Sequence, residues 1–207
     1  IAVIIIFQPE LRKALEQIGA SGFSSVTGLL QTKPSDDRLS PQDANEIVEA
    51  CVKMAEVKTG ALIVIERNVS MGDIVSASGV TVDAVISSQL LINIFEDKTP
   101  LHDGAVIIRD NRVAAASCIL PVTQSEIGQE LGTRHRAAVG ASEVSDAFII
   151  VVSEETGKIS IARDGKLEKA VSEAVFRQEL LNLCEKTTPA GAKAINKIWK
   201  GMSRHDK

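Results

Sequence analysis

The 207-residue sequence contains no GxxxxGK[ST] loop, and no GxGxxG follows a strand and opens a helix. The two commonest ways of cradling a nucleotide phosphate on backbone N–H groups are therefore absent. A GxSxG elbow and an HExxH pair are missing too, so serine-hydrolase and zinc-protease readings lack their minimum parts. There is no basic excess: the formal net charge is −4, which argues against a nucleic acid partner and leaves any phosphate chemistry to a local site. Cysteine is scarce. Cys51, Cys118 and Cys184 lie far apart with no CxxC pair, each in an apolar stretch, and read as free, buried thiols of a reducing compartment. The opening run Ile1-Ala2-Val3-Ile4-Ile5-Ile6-Phe7 is far short of the ~20 residues that cross a bilayer. It reads either as the end of a membrane helix of a longer protein or as a buried edge strand. No internal repeat is visible.

What is present is an ordinary folded chain, 44% hydrophobic and 24% charged, long enough for one compact domain whose core needs no disulfide. Pro9, Leu11, Leu15 and Ile18 predict a short amphipathic helix ending near Gly19, followed by an exposed connection from Ala20 to Leu39. Ser40-Pro41 supplies an N-cap and first-turn proline for a helix burying Ile47, Val48, Cys51, Val52 and Ala55. Ala61 to Ile65 is a continuous apolar run typical of a strand covered on both faces. The pattern then predicts a helix from Val82 to Phe95 and strands at Ala105 to Arg109 and Arg112 to Leu120, joined through Asp110-Asn111. A second strand pair, Ala147 to Val152 and Lys158 to Arg163, flanks Glu155-Thr156-Gly157. A long helix is expected from Leu167 to Glu185 and a last one from Ala190 to Lys200. Antiparallel pairs mixed with strand-helix crossovers define an α/β (mixed α+β) class: a single globular domain with a central mixed β-sheet flanked by helices.

Three clusters could carry chemistry. The first, Leu101-His102-Asp103-Gly104-Ala105, sets a carboxylate at a strand entrance. Asp103 there can hold a divalent cation or orient a hydroxyl, His102 can add a ligand, and Gly104 lets a substrate approach the backbone; an everyday Asp-Gly turn is the alternative. The second, Gly132-Thr133-Arg134-His135-Arg136-Ala137-Ala138, packs a hydroxyl, two guanidinium groups and an imidazole at a helix start. Arg forks and unpaired helix N–H groups both match phosphate oxygens, although a solvated basic face would show the same residues. The third, Ser153-Glu154-Glu155-Thr156-Gly157, closes a strand with two carboxylates or is a solvated hairpin turn. His205, in the polar tail, is incidental.

Taken together, Asp103-Gly104-Ala105 and Arg134-His135-Arg136, separated by a hairpin and a short connection, resemble the two signature motifs of the diadenylate cyclase domain family. Thr59 to Val64, Pro100 to Ile108, Leu131 to Ala138 and Val152 to Gly157 resemble the same family, so the likeness runs from about Phe7 to Ala174. Phe7-Gln8-Pro9-Glu10-Leu11-Arg12-Lys13-Ala14-Leu15-Glu16 further resembles its membrane-anchored CdaA type, in which this segment follows the last of three transmembrane helices. On that likeness, residues 1–7 are the remnant of a transmembrane helix and 8–40 an N-terminal helix and exposed connection. Residues 41–186 are then the catalytic domain and 187–207 a C-terminal helix and polar tail.

The resemblance implies condensation of two ATP molecules into cyclic di-AMP with release of two pyrophosphates, on a homodimer, each half holding one ATP. It implies that Asp103 activates the 3′-hydroxyl and that Thr133, Arg134, His135 and Arg136 hold the phosphates. Gly104 and Ala105 would leave room for the ribose, and Ser153 and Glu154 would complete the ATP site. Many relatives carry Tyr where this chain has Ile119, so Ile119 and Leu120 are expected to hold adenine by apolar contact. Mn²⁺ or Mg²⁺, with Co²⁺ as a third candidate, would sit on His102, Asp103 and Glu155. The whole protein would lie at the cytoplasmic face of the bacterial membrane, with membrane or cytosolic regulatory partners. The rival expectations are a catalytically silent nucleotide-binding sensor of the same fold, an enzyme acting on a different nucleotide, and a structural scaffold.

Overall fold

A computed structural model describes residues 39–125 and 131–184. The helices expected from Pro9 and from Ala190, and the run Ile1 to Phe7, lie outside the described residues. All described residues belong to one compact unit, Arg38–Lys207.

Helix α1 (Pro41–Glu56) starts where Ser40 Oγ accepts from the N–H of Asp43 at 3.0 Å, and Pro41 takes a first-turn position that needs no donor. Its apolar face, Ile47, Val48, Cys51 and Met54, is wholly buried. Strand β1 (Ala61–Ile65) is buried at all five positions, as a strand covered on both faces must be. The chain continues through α2 (Gly72–Ser78), β2 (Val80–Val85), α3 (Ser88–Phe95), β3 (Ala105–Arg109), β4 (Arg112–Cys118) and α4 (Thr133–Val144). It finishes with β5 (Phe148–Val152), β6 (Ile159–Arg163), β7 (Lys166–Glu168) and α5 (Glu173–Cys184).

Two expected helices begin later than the apolar pattern suggests. The run from Val82 is split into strand β2 and helix α3, because β-branched residues pair with β4 (Val80 with Ala116, Val85 with Arg112). Ser87 Oγ then accepts from Leu90 N–H at 3.3 Å and fixes the start of α3. The helix expected from Leu167 begins at Glu173 instead. Asp164 (φ 49°) and Gly165 (φ 71°) make a two-residue reversal, so Lys166–Glu168 pair with β6 before the chain turns helical. The same left-handed pair, Asp110 (φ 51°) and Asn111 (φ 57°), joins β3 to β4 as anticipated. Strand β4 ends at Cys118, two residues before Leu120. All three cysteines are free, with Cys51 and Cys118 buried.

The strands form one seven-stranded sheet in the order β2-β4-β3-β1-β5-β6-β7. Among the described strands only the central β1–β3 pair is parallel. Alternating residues of the central strands face two cores. Ile63, Val106, Ile108, Ile150 and Ile161 pack under α1, α3 and α5, where Leu91, Phe95, Phe176 and Leu180 are buried. Leu62, Val64, Ile107, Ile149 and Val151 pack under α2 and α4, where Ala138 and Ala141 are buried. The result is a three-layer α/β domain.

Helix α4 is built from small residues because another backbone crosses it. A Cβ on Gly140 would lie 2.4 Å from the carbonyl oxygen of Pro121 and 2.5 Å from the nitrogen of Thr123. Both are main-chain atoms with nowhere to retreat. In an exposed helix Gly→Ala stabilises by about 1 kcal/mol through propensity; here overpacking reverses the sign. Gly140→Ala is expected to destabilise the domain by about 2 kcal/mol, read as a lowered urea midpoint at unchanged slope.

Candidate functional site

Register brings three chain segments to one end of the sheet. Ala61 pairs with Val152 and Ile63 with Val106, so the residues just before β1, just before β3 and just after β5 line up along a single edge. Those residues are Gly60, Asp103-Gly104 and Ser153-Glu154. A cleft of about 210 Å³ opens there, lined by the start of α4 (131–135), the β5–β6 turn (152–156), Lys158, Ser160 and residues 169–170.

The start of α4 carries the electrostatics. Its N-cap is the exposed Gly132, which offers no side-chain acceptor, and no acidic residue occupies the first turn. The first N–H groups and the positive end of the helix dipole therefore face the cleft without an internal counter-charge at the cap. Arg134 reaches from this turn to Glu154, with which it forms a hydrogen-bonded ion pair. Gly60 lies against that pair: a Cβ there would stand 2.6 Å from Arg134 Nη1 and 2.9 Å from Glu154 Oε2. Its φ lies outside the left-handed region, so the glycine is needed for space and not for backbone conformation.

His135 is buried, with 8% of its surface exposed. Burial first, and the nearby charge of Lys169 second, hold its pKa below the ordinary 6.5, while Glu155 pulls the other way. Thr133, Glu154 and Glu155 are exposed on the cleft wall with Ser153 half-buried among them. Ser153 Oγ accepts from Thr156 N–H at 3.2 Å and Ser153 O from Gly157 N–H at 2.8 Å, which closes the turn through the left-handed Gly157 (φ 69°). Arg136 leaves the cleft. It donates to the Thr123 carbonyl at 3.1 Å while Thr123 N–H donates to the Arg136 carbonyl, also at 3.1 Å. That exchange straps the segment after β4 across α4.

The second group of residues stands at the same end but off the cleft wall. Asp103 is exposed, its backbone carbonyl accepts from Ser117 Oγ at 2.7 Å, and its carboxylate pairs with no described residue. Gly104 (φ 112°) permits this turn, since a Cβ would meet the Ser117 carbonyl carbon at 2.7 Å. His102 Nδ1 lies 2.7 Å from the Thr99 carbonyl and its Nε2 lies 3.8 Å from Asp97. Ala105 is fully buried at the first position of β3. Ile119 is 74% exposed with its N–H donated to Ser78 Oγ, whereas Leu120 is only 5% exposed and belongs to the core under α2 and α4.

Sequence reasoning missed Gly60, Lys158, Ser160 and Lys169 as parts of the site. Gly60 and Lys158 sit in stretches that read as a strand approach and a strand start. Lys169 fell inside the expected helix from Leu167, so nothing local marked it as a cleft residue.

A three-layer α/β domain with an uncapped helix start, an arginine and two lysines around one cleft has the features of a phosphate-binding class of protein. The chain belongs to the DAC family, described as the DisA bacterial checkpoint controller nucleotide-binding domain, whose model matches residues 48–167. It is 49% identical over 181 residues to the cyclic di-AMP synthase CdaA of Bacillus subtilis, covering 87% of this chain and 64% of that protein. It is 45% identical over 206 residues to a diadenylate cyclase of Listeria monocytogenes, covering 97% of this chain and 71% of that one. The crystal structure of a cysteine-substituted double mutant of DacA from Staphylococcus aureus superposes with a TM-score of 0.67 at 45% identity, covering 69% of this chain and 95% of that one. The chain thus spans somewhat under two thirds of the Bacillus relative and somewhat over two thirds of the Listeria one.

A buried base with a lowered pKa has a definite linkage sign. Between the folded and unfolded pKa values the unfolded chain binds more protons, so the contribution of His135 to stability is complete above about 6.5 and is lost as the pH falls below it. The His135 ring is expected to titrate with a midpoint below 6.5 in the nucleotide-free protein, followed by NMR. His135→Gln should flatten the fall in stability as the pH drops below about 6.5.

Proposed function

We propose that this protein is a diadenylate cyclase, condensing two ATP molecules into cyclic di-AMP and two pyrophosphates. One observation carries the reading: the Asp103 carboxylate stands exposed and unpaired by any described residue, at the same sheet end as the start of α4. A free carboxylate at the sheet end where the helix start lies is available to activate a hydroxyl for attack on phosphorus. The names of the relatives at 45–49% identity support the substrate and product.

In this mechanism Asp103 orients the 3′-hydroxyl of one ATP and accepts its proton as the oxygen attacks the α-phosphorus of the other. A new P–O bond forms and the bond to the pyrophosphate oxygen breaks. Thr133, Arg134 and the first N–H groups of α4 hold the phosphates and offset the charge that develops on them. The buried His135 stays neutral near pH 7 and serves as a hydrogen-bonding wall of the cleft. Arg136 contributes through the strap to Thr123 and so fixes where α4 starts. Gly104 presents bare backbone to the ribose, the fully buried Ala105 behind it can only support that turn, and Ile119 offers an exposed apolar surface to adenine. Ser153 and Glu154 bound the triphosphate side. The two identical linkages of the product require each ATP to present its hydroxyl to the other in the same geometry, which a two-fold dimer supplies.

The family likeness implies a divalent cation. Among the described residues no group of three or more His, Cys, Asp and Glu is gathered to hold a metal alone. The residues present fit a hard ion held by one or two carboxylates and completed by substrate phosphates, as Mg²⁺ and Mn²⁺ commonly are. Asp103 is the first candidate ligand, with His102 and Glu155 as the others. When bound, such an ion would neutralise phosphate charge and sharpen the acidity of the hydroxyl. By likeness to the membrane-anchored relatives we place the whole protein at the cytoplasmic face of the membrane, where membrane or cytosolic partners could regulate it. Among the described residues no helix is long and apolar enough to cross a bilayer.

Purified protein incubated with ATP and Mn²⁺ or Mg²⁺ is expected to yield cyclic di-AMP, identified by mass after chromatography. Asp103→Asn should reduce the rate by about 10²–10⁴-fold, the range for loss of a positioned base, while ATP binding persists. ATP binding by a dimeric protein without product would reject the cyclase and favour a sensor. The rate per protomer should fall on dilution through the dimer dissociation constant. Gly60→Ala is expected to leave the fold intact and weaken ATP binding by about tenfold, because the Arg134–Glu154 pair must move; calorimetric titration measures it.

A further inference from the structure

Without its lysines the cleft has the wrong charge for its ligand. Arg134 is set against Glu154 and Glu155, and His135 is neutral near pH 7, so these four leave one negative charge facing a polyanion. Two further residues on the wall, Lys158 and Lys169, turn that into one positive charge. Neither has an ion-pair partner among the described residues, whereas Arg134 is already engaged.

Lys169 is the better placed of the two. It lies in the connection between β7 and α5, where the next residue, Ala170, adopts a left-handed backbone (φ 55°) that a non-glycine residue rarely takes. That conformation is held by Val171 N–H donating to the Ile159 carbonyl at 2.9 Å, with Ala170 N–H 3.5 Å from the buried Ser160 Oγ. Both anchors are at the start of β6, and Ser160 lines the cleft. The bend therefore keeps Lys169 on the wall near His135, close enough for its charge to act on that ring. Residue 169 also lies beyond the stretch matched by the family model, which ends at 167.

We propose that Lys169 is a substrate-binding residue that contacts the outer phosphates of ATP and the departing pyrophosphate. The identity of the ligand rests on the cyclase reading; the placement of the lysine does not. A compact ammonium on a flexible stem suits a group that must follow a phosphate chain as it leaves, while the planar Arg134 fixes geometry.

The test uses the purified protein, inorganic pyrophosphate without metal, and adenosine, titrated by calorimetry. Lys169→Met is expected to weaken pyrophosphate and ATP binding by about tenfold, the loss of one charge-assisted contact, with adenosine binding unchanged. Lys169→Arg should restore most of the affinity. In turnover the Met variant should show a raised KM for ATP and weaker product inhibition by pyrophosphate. Unchanged pyrophosphate affinity, an equal loss of adenosine binding, or no pyrophosphate binding by the parent protein would each overturn the assignment. Cyclic di-AMP from the parent with unaltered pyrophosphate affinity in the variant would end this proposal and leave the cyclase standing. Lysine-dependent pyrophosphate binding without cyclic di-AMP would do the reverse.

Discussion

β1 and β3 run side by side in the same direction, and a parallel pair can be joined only by carrying the chain back to the end where it began. Here that return is made by α2, β2 and α3, which lie between them in sequence. The consequence is that both strands begin at one end of the sheet. With β5 antiparallel to β1, its last residue arrives at the same end. Three loops that are far apart in sequence, carrying Gly60, Asp103 and Glu154, are thereby brought to one edge without any of them needing a long excursion. The central position of β1 also forces both its faces to be apolar, which fixes the register: a slip by one residue would exchange Ile63 and Val64 between two differently shaped cores.

On this frame the site is held by weak and replaceable interactions. Arg134 and Glu154 are joined in an ion pair whose carboxylate partner is 63% exposed. Such pairs are worth about 0–1 kcal/mol, so a phosphate group can take the guanidinium from Glu154 at little cost. Strong contacts are kept for the supports. Arg136 and Thr123 exchange two hydrogen bonds, and Thr123 Oγ1 donates to Glu143 at 2.6 Å, so the segment after β4 and helix α4 form one body. At the opposite sheet end Arg109 and Glu66 make a bidentate pair with Glu66 also accepting from Met71 N–H at 2.8 Å. Rigidity thus lies behind the site and exchangeable charge in front of it.

The central strands and α1 were legible in the sequence because their signals are local. A five-residue apolar run, Ser-Pro at a helix start and two left-handed residues at Asp110-Asn111 each specify their own conformation. The starts of α3 and α5 were not, because an apolar stretch such as Val80 to Phe95 satisfies strand and helix periods in turn, and pairing with β4 decided where the change falls. The motif residues at 102–105 and 133–136 could be singled out as chemistry-bearing, but their division between cleft and rim could not. Whether Arg134 and Arg136 face the same way depends on helix phase and on a backbone segment from ten or more residues earlier. Lys169 became visible only once the hairpin at Asp164-Gly165 had turned the chain back on β6.

The separation of Asp103 from the cleft wall has a chemical meaning under the proposed reaction. An enzyme that moved a phosphate within one bound nucleotide would need its base on the wall that holds that nucleotide's phosphates. Here the free carboxylate stands at the same sheet end as the helix start but outside the cleft lining. That arrangement suits a hydroxyl and a phosphorus that belong to different ATP molecules. Under the proposed reaction, a two-fold pair of copies would let every group described on one chain act twice in one cycle.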